Sequence, residues 1–475
     1  MKSTQTAGGA SVAAATHLHS GYVWLISAAA ALGGLLFGYD WVVIGGAKPF
    51  YESYFRLSSQ ELIGWANSCA LIGCLIGSIV SGVISDRFGR KKLLILSALL
   101  FAISSVLTGW AGSFSSFIAW RMIGGVAIGI ASNVSPTYIA EVSPAMWRGR
   151  LVSLNQLTIV VGILAAQIVN WLIAQQVPVG ATAEQIRVSW NGQFGWRWMF
   201  TAVAVPSIIF LVSSLFVPES PRWLAKNRKR EQARGTLVKI GDERYAEDAL
   251  NEIETALAAE SEHSLHGNEL FSPAILRILG IGVFLAVLQQ WSGINVIFNY
   301  AEEVYRNAGY GISGIMFNIV ITGAINLVFT LVALGFVDRV GRRPLMLLGC
   351  AGIGISHLLI GIGYRAHLGG LPVLIFTLAA IGCYAVSLAP VTWVLISEIF
   401  PNRIRGAAVS VAVSALWIAS FILTFTFPLI LGAIGSAATF WLYAAICFIG
   451  FAFIWRRVPE TKGRTLEQIE QQLTQ

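Results

Sequence analysis

The sequence has few charged residues, few cysteines and no recognisable pattern of catalytic residues. Only 12% of its 475 residues are Asp, Glu, Lys or Arg, and 56% are hydrophobic, whereas soluble domains carry about a quarter charged residues. The five cysteines lie in or beside apolar segments and form no Cys-x-x-Cys pair or Cys/His cluster, which argues against disulfide or metal frameworks. GxSxG, HExxH and P-loop motifs are also missing, so we expect no enzyme, no cofactor and no metal site.

Long apolar runs instead recur along the whole chain. Each run approaches the ~20 residues that an α-helix needs to cross a bilayer, where the backbone must satisfy its own hydrogen bonds. The sequence therefore predicts an all-α membrane protein embedded in a lipid bilayer, with twelve transmembrane helices. The predicted spans are 22–46, 61–84, 93–112, 115–139, 151–175, 196–217, 275–300, 313–336, 344–364, 371–397, 406–432 and 437–455.

Basic residues are distributed unevenly between the two sets of loops. Most of the 32 Lys and Arg fall on the side that holds both termini, so the positive-inside rule predicts cytoplasmic termini. The opposite side carries only Lys48, Arg56, Arg187, Arg197, Arg306 and Arg365. The net charge of +8 is spread over many short loops, which argues against nucleic-acid binding. The one glycosylation sequon, at Asn133, lies inside a predicted span, which fits a multi-pass protein of the bacterial inner membrane.

Three pairs of motifs mark an internal repeat of six spans. The pairs are Asp86-Arg87-Phe88-Gly89-Arg90-Lys91 with Asp338-Arg339-Val340-Gly341-Arg342-Arg343, Glu141 and Arg148 with Glu398 and Arg405, and Pro218-Glu219-Ser220-Pro221-Arg222 with Pro459-Glu460-Thr461-Lys462-Gly463-Arg464. Such duplication is typical of transporter halves that rock about a central site. The predicted organisation is a cytoplasmic tail (1–20), a six-helix bundle (21–218), a cytoplasmic helical linker (219–272), a second six-helix bundle (273–456) and a cytoplasmic tail (457–475).

The charges of these motifs suggest a cytoplasmic latch. Arginine can bind carboxylates and helix C-termini, so we expect charge pairs that hold the two halves together and part when the inner side opens. The alternative is that the basic residues serve only to set the topology. The latch candidates are Asp86, Arg87, Arg90, Glu141, Arg148, Glu219, Arg222, Asp338, Arg339, Arg342, Glu398 and Arg405.

Together with Gln289-Gln290-Trp291-Ser292-Gly293-Ile294-Asn295, these motifs resemble the sugar porter family of the major facilitator superfamily. The resemblance covers all twelve spans and implies the major facilitator fold, two six-helix bundles with a helical segment between them. Gly38-Tyr39-Asp40 and Ser397-Glu398-Ile399-Phe400-Pro401-Asn402 are most similar to bacterial xylose or pentose and hexose–proton symporters. The human-type facilitative glucose carriers lack the aspartate after Gly-Tyr.

A sugar offers hydroxyl groups around a weakly apolar ring, so neutral amides and an aromatic side chain are expected to bind it. Three amides within seven residues of the seventh span, beside Gly293, exceed what packing needs. We interpret three other polar residues of the spans, Gln167, Asn318 and Thr322, as packing contacts between helices. By resemblance, the sugar-binding positions are Phe37, Gln156, Gln289, Gln290, Asn295, Asn326, Trp393 and Trp417. Ala389, Leu416 and Asn299 depart from the family pattern and leave the sugar itself open.

Asp40 and Arg121 are predicted to be the two charges that lie within spans and away from the cytoplasmic loops. Charges at mid-bilayer cost about 2.5–3.5 kcal/mol, so they usually serve function and pair with each other. We expect Arg121 to hold Asp40 ionised while burial favours its protonation, which suits a proton carrier. The alternative is a structural ion pair in an uncoupled carrier.

The leading hypothesis is therefore import of a monosaccharide, such as xylose, glucose or arabinose, with a proton by alternating access. We expect the protein to function as a monomer. The alternatives are a facilitative sugar uniporter and a non-transporting sugar sensor, although the short C-terminal tail argues against the sensor.

Overall fold

Helices form nearly all of the described chain, because residues in a bilayer must pair their backbone groups locally. The computed structural model describes residues 17–262, 272–400, 404–462 and 468. Within the first of these ranges, eight helices and a π-helical turn, Asn191–Gly195, precede the linker. They are α1 (Ser20–Phe55), α2 (Gln60–Phe88), α3 (Arg90–Gly109), α4 (Phe114–Val142), α5 (Ala145–Ile173), α6 (Ala183–Val188), α7 (Trp196–Thr201) and α8 (Ala204–Phe216).

The linker is helical, as its alternation of charged and apolar residues predicts. It contains α9 (Pro221–Lys226), α10 (Arg230–Ile240) and α11 (Glu243–Glu262). Leu237 and Leu250 are buried between α10 and α11, and Arg230 pairs with Glu247 and Glu254 at 3.0 Å each. A short N-terminal stretch joins this unit, since the His19 amide donates to the Ile240 carbonyl at 2.8 Å.

The second half contains more interrupted spans than the first half. They are α12 (Pro273–Trp291), α13 (Ile294–Asn299), α14 (Ala301–Asn307), α15 (Ile312–Val340), α16 (Arg342–Arg365), α17 (Gly370–Val386), α18 (Leu388–Ile399) and α19 (Arg405–Arg457). The predicted span 275–300 is therefore two helices with a third following, and the predicted span 371–397 is interrupted at Ser387.

Twelve apolar crossings result within the described residues. Eleven helical segments are long and apolar enough to cross a membrane. The last of them, α19, has 53 residues, and Gly435 inside it has non-helical angles (φ 77°, ψ 170°). Because this kink separates two lengths that each suffice for a span, α19 contributes the eleventh and twelfth crossings. The predicted twelve-helix fold is confirmed.

Small residues allow the helices of the first bundle to approach closely. On α2, Gly73 and Gly77 face α4, where a Cβ at Gly77 would come within 3.0 Å of the Val126 Cα. On α4, Gly125 and Gly129 face α2 in the same way. Small residues four apart are the usual means of packing membrane helices, because lipid supplies no hydrophobic drive between them.

The bundle has two ends, which we name by their contents. The linker face is the end that holds α9, α10 and α11, and the distal face is the opposite end. Because α1 begins beside the linker at His19, its last turns near Lys48 lie at the distal face. By the same reasoning α14, which follows α12 and α13, also lies at the distal face.

Candidate functional site

A break in the seventh span positions the predicted sugar-binding amides. Gly293 has φ +84° and ψ −7° and separates α12 from α13. Residues other than glycine adopt this left-handed conformation at a cost. A Cβ there would also lie 2.9 Å from His357 Nε2 and from Tyr443 Cγ. The expected loosening of the helix at Gly293 is thus present, and it places Gln289 and Gln290 before the break and Asn295 after it.

The three amides form one hydrogen-bonded cluster with a tyrosine. Gln289 Nε2 donates to the Tyr384 hydroxyl at 3.0 Å, and Gln290 Nε2 donates to Gln289 Oε1 at 2.5 Å. Asn295 Nδ2 donates to Gln290 Oε1. The three amides are 5%, 6% and 8% exposed, so they face the protein interior rather than lipid. We name Gln289, Gln290, Asn295 and Tyr384 the amide cluster.

An aromatic group joins the two halves. The ring centroids of Phe37 and Trp417 lie 6.0 Å apart, those of Trp41 and Trp417 lie 6.0 Å apart, and those of Phe37 and Trp41 lie 5.9 Å apart. Phe37 and Trp41 belong to α1, whereas Trp417 belongs to α19 of the second half. Trp417 is 3% exposed and its indole nitrogen has no protein acceptor. Sequence reasoning missed Trp41, although it follows Asp40 directly.

The remaining predicted sugar residues are less closely tied to the cluster. Gln156 on α5 is half-buried and Asn326 on α15 is buried. These two helices pack against each other across the halves, where Gly323 abuts the side chain of Gln167. Trp393 on α18 is 39% exposed. Their roles toward a sugar stay predictions.

Asp40 and Arg121 form the expected ion pair inside the first bundle. Arg121 Nη1 lies 2.9 Å from both carboxylate oxygens of Asp40. The two residues are 4% and 3% exposed, and the guanidinium carbon stands 5.4 Å from the Phe200 ring centroid. A buried pair of this kind is costly to separate, because each partner alone would leave an uncompensated charge.

The prediction that Asp40 and Arg121 are the charges inside the spans was incomplete. Lys48 on α1 is 1% exposed and its Nζ lies 2.9 Å from Glu52 Oε1 and 3.4 Å from Glu302 Oε2. The same ammonium donates to Glu303. Glu302 and Glu303 belong to α14 of the second half, so these contacts join the two halves at the distal face. We name Lys48, Glu52, Glu302 and Glu303 the distal charge lock. Glu302 also pairs with Arg306 at 2.7 Å.

The first set of latch residues makes its described contacts within the first half and the linker. Arg90 Nε lies 2.9 Å from Glu141 Oε2, and Arg90 Nη1 lies 3.2 Å from Asp86 Oδ1. The Glu219 carboxylate accepts from the backbone amides of Arg90 at 2.9 Å and Lys91 at 3.1 Å. Glu219 therefore caps the first turn of α3, where free amides and the helix dipole favour a negative charge.

The second set repeats this arrangement. Glu460 accepts from the backbone amides of Arg342 at 3.0 Å and Arg343 at 3.2 Å, and Arg342 Nη2 lies 3.2 Å from Glu398 Oε1. Sequence reasoning missed that the glutamate of each Pro-Glu motif caps the third span of its own half. Arg405 contacts the Phe400 carbonyl at 3.1 Å.

The other latch candidates lie on the surface of the linker face or outside the described side chains. Arg87 and Arg148 are exposed, and the Arg339 carbonyl accepts from Lys462 at 2.5 Å. Arg222 stands at the start of α9, and the side chain of Asp338 lies outside the described residues. The described motif contacts brace each half internally, so a latch between the halves stays a prediction for another conformation.

Known proteins match this chain over almost its full length. The family model described as "Sugar (and other) transporter" matches residues 26–473. The D-xylose-proton symporter of Escherichia coli (strain K12) is 38% identical over 96% of both chains. The arabinose-proton symporter of Bacillus subtilis (strain 168) is 40% identical, again over 96% of both chains.

A solved structure agrees with the fold. The inward open conformation of the xylose transporter XylE from E. coli is 37% identical, has a TM-score of 0.83, and covers 95% of this chain and 99% of its own. The predicted all-helical transporter architecture and the predicted resemblance are confirmed, and an enzymatic function is excluded by the same match. This chain is a multi-pass membrane protein that belongs to the sugar porter family of the major facilitator superfamily.

Proposed function

We propose that this protein imports a monosaccharide together with a proton by alternating access. The observation that carries the proposal is the buried Asp40–Arg121 pair, which lies in the first bundle near the joining aromatic group. A buried carboxylate paired with an arginine inside the spans can bind a proton on one side of the membrane and release it on the other. Both relatives described above, from Escherichia coli and Bacillus subtilis, are named as proton symporters.

The cargo is a neutral pentose or hexose. Each hydroxyl of such a sugar both donates and accepts a hydrogen bond, which suits the oxygens and nitrogens of the amide cluster. The unpaired indole nitrogen of Trp417 supplies one more donor beside the apolar faces of Phe37 and Trp41. The relatives transport xylose and arabinose, which are pentoses of this kind.

The conformation described here fits the inward-facing step of the cycle. The distal charge lock and the contact between the Trp65 and Phe421 rings, whose centroids lie 6.4 Å apart, both join the halves away from the linker. We assign the linker face to the cytoplasm, since most basic residues lie there. Both termini are then cytoplasmic and the protein acts as a monomer in a bacterial inner membrane.

Transport by reconstituted protein tests the proposal. Counterflow of labelled xylose, arabinose and glucose in proteoliposomes identifies the cargo, and an imposed proton gradient tests coupling. A gradient of 100 mV supplies ~2.3 kcal/mol per proton, enough for accumulation of roughly fortyfold at about 1.4 kcal/mol per decade. Asp40→Asn is expected to keep counterflow and to lose accumulation. A wild-type protein that equilibrates its sugar but never concentrates it is a uniporter, and accumulation by Asp40→Asn rules out Asp40 as the proton carrier.

A further inference from the structure

Three buried polar atoms near the ion pair have no partner in the protein. They are Arg121 Nε, Asn67 Oδ1 and Asn299 Oδ1. Their residues are 3%, 5% and 4% exposed. A buried N–H or C=O without a partner costs about 1–3 kcal/mol, so three in one place indicate a ligand that satisfies them.

The same three residues line a single small cavity. Its remaining wall includes Trp41 and several apolar side chains of α1, α2 and α4. The cavity offers about 10 Å³ to the centre of a water molecule, which is room for about one water. The donor and acceptor count suits one water, whose oxygen can accept from Arg121 Nε while its two hydrogens are donated to the two amide oxygens. Buried waters typically make about three such bonds.

The cavity lies between the two halves. Asn67 belongs to α2 and Arg121 to α4, whereas Asn299 is the last residue of α13 in the second half. Backbone contact brings α13 close, since a Cβ at Gly45 of α1 would lie 2.5 Å from the Phe298 carbonyl oxygen. The Asn67 amide is held from its other end, where Nδ2 donates to the Ile63 carbonyl at 3.0 Å.

We propose that Asn67 and Asn299 hold a bridging water on Arg121 and are positioning residues for proton coupling. The Arg121 guanidinium donates through Nη1 to Asp40, while its buried Nε has no protein partner and the residue lines the cavity. Protonation of Asp40 removes the charge that orients this guanidinium, so Nε leaves the water and the water tie to α13 weakens. The free energy of closing the distal face then depends on the charge of Asp40. This inference rests on the coupling role of Asp40 proposed above.

Leucine substitutions at the two asparagines test the bridge. Asn299→Leu and Asn67→Leu, reconstituted as full-length protein, are expected to lower proton-driven accumulation at least threefold and to flatten its dependence on pH. Counterflow needs no net proton movement and is expected to stay within twofold of wild type. Asn299→Ser keeps an oxygen in the cavity and is expected to restore at least half of the accumulation.

A matched control separates this role from loss of a buried amide in general. Asn318 on α15 is 5% exposed, has an unpaired Nδ2 and does not line the cavity. Asn318→Leu is therefore expected to keep the wild-type pH profile. Wild-type accumulation and pH dependence in both Asn299→Leu and Asn67→Leu, or the same flattening in Asn318→Leu, would overturn the bridge. If Asp40→Asn loses accumulation while the leucine variants keep it, only the bridge is wrong; if Asp40→Asn still accumulates sugar, the coupling proposal itself fails.

Discussion

Replacing Lys48 by methionine is expected to open the distal face. In the present conformation Lys48 is surrounded by Glu52 of its own helix and by Glu302 and Glu303 of the second half. When the halves separate at this face, the contacts with the second half are lost and only the neighbour on α1 remains. The distal charge lock therefore stabilises the closed face specifically.

The size of the effect follows from the distances. An ion pair at 3.4 Å has a Coulomb energy of about 5 kcal/mol at an effective dielectric constant of ~20. Loss of hydration, several kcal/mol per buried ion, offsets much of this energy. Removing one partner nevertheless leaves buried carboxylates uncompensated, which costs about 3–5 kcal/mol. Since water reaches these carboxylates when the face opens, Lys48→Met is expected to shift the equilibrium toward the distal-open state by about 3 kcal/mol, or over a hundredfold.

Distance measurements between the halves follow this shift directly. Spin labels at Val179 and Leu368, which are 92% and 51% exposed on distal loops of different halves, report the separation by double electron–electron resonance. Lys48→Met is expected to give a longer dominant distance. Adding Glu303→Gln to Lys48→Met is expected to restore part of the short distance, because one uncompensated charge disappears. Arg306→Gln removes a partner of Glu302 whose own side chain is 59% exposed. It serves as the control, since solvent screens the charge of Arg306 and such a pair contributes about 0–1 kcal/mol.

An unchanged distance distribution in Lys48→Met would refute the reasoning. A lengthening of equal size in Arg306→Gln would also refute it, because the effect would then reflect the acidic cluster's net charge rather than the buried tie.

Three further predictions concern other parts of the fold. Gly293→Ala is expected to lower the melting temperature and transport together, by about 1–3 kcal/mol of backbone strain, and an unchanged melting temperature would contradict the positive-φ hinge. Glu219→Gln weakens the cap on Arg90 and the α3 dipole interaction by about 0.5–2 kcal/mol, which hydrogen exchange at the start of α3 should detect as faster exchange than in wild type. The backbone amides of Tyr245 and His17 donate to the Asp242 carboxylate and hold its pKa below the ordinary 3.8. The ionised carboxylate therefore stabilises the folded protein above that value, and this stabilisation is lost as pH falls through the folded-state pKa. Asp242→Asn should abolish this acid dependence of the melting temperature, and the same acid dependence in the variant and wild type would contradict the prediction.

Much of the fold could be predicted because each element follows from local physics. Apolar length predicts the spans, and the paired motifs predict two repeats of six. The helix breaks could be anticipated only where the residue itself signals one, as Gly293 does. The break at Gly435 in α19 falls between the predicted spans 406–432 and 437–455 and was likewise anticipated. The interruption at Ser387 depends on packing between distant helices, which no local pattern reveals.

The sequence predicted which residues belong to the candidate site better than it predicted the contacts between them. Asp40 and Arg121 stand out because charges are rare in spans, and their pairing followed from their shared bundle. Lys48 and Glu303 escaped detection because they sit near span ends, where charges usually contact water. Only the tertiary fold shows that α1 and α14 bury them against each other.

The latch motifs show a different limit. Their charges suggested contacts between the halves, yet Glu219 and Glu460 cap helices of their own halves. A sequence repeat shows which residues correspond in the two halves, but it does not distinguish contacts within a half from contacts between halves. The capping geometry itself depends on where the last helix of each half returns to the third.

Equilibrium sugar binding at the amide cluster tests the account most directly. Isothermal titration calorimetry of the purified protein with xylose, arabinose and glucose measures the affinity for each sugar without any assumption about proton coupling. Gln290→Leu removes an amide that bonds both Gln289 and Asn295. The variant loses the hydrogen bonds that the Gln290 amide would form with the sugar, about two neutral bonds at ~1 kcal/mol each. We therefore expect Gln290→Leu to bind the sugar at least tenfold more weakly than wild type, and Asn318→Leu to stay within twofold of wild type. Wild-type affinity in Gln290→Leu would contradict the central claim that this cluster holds the sugar.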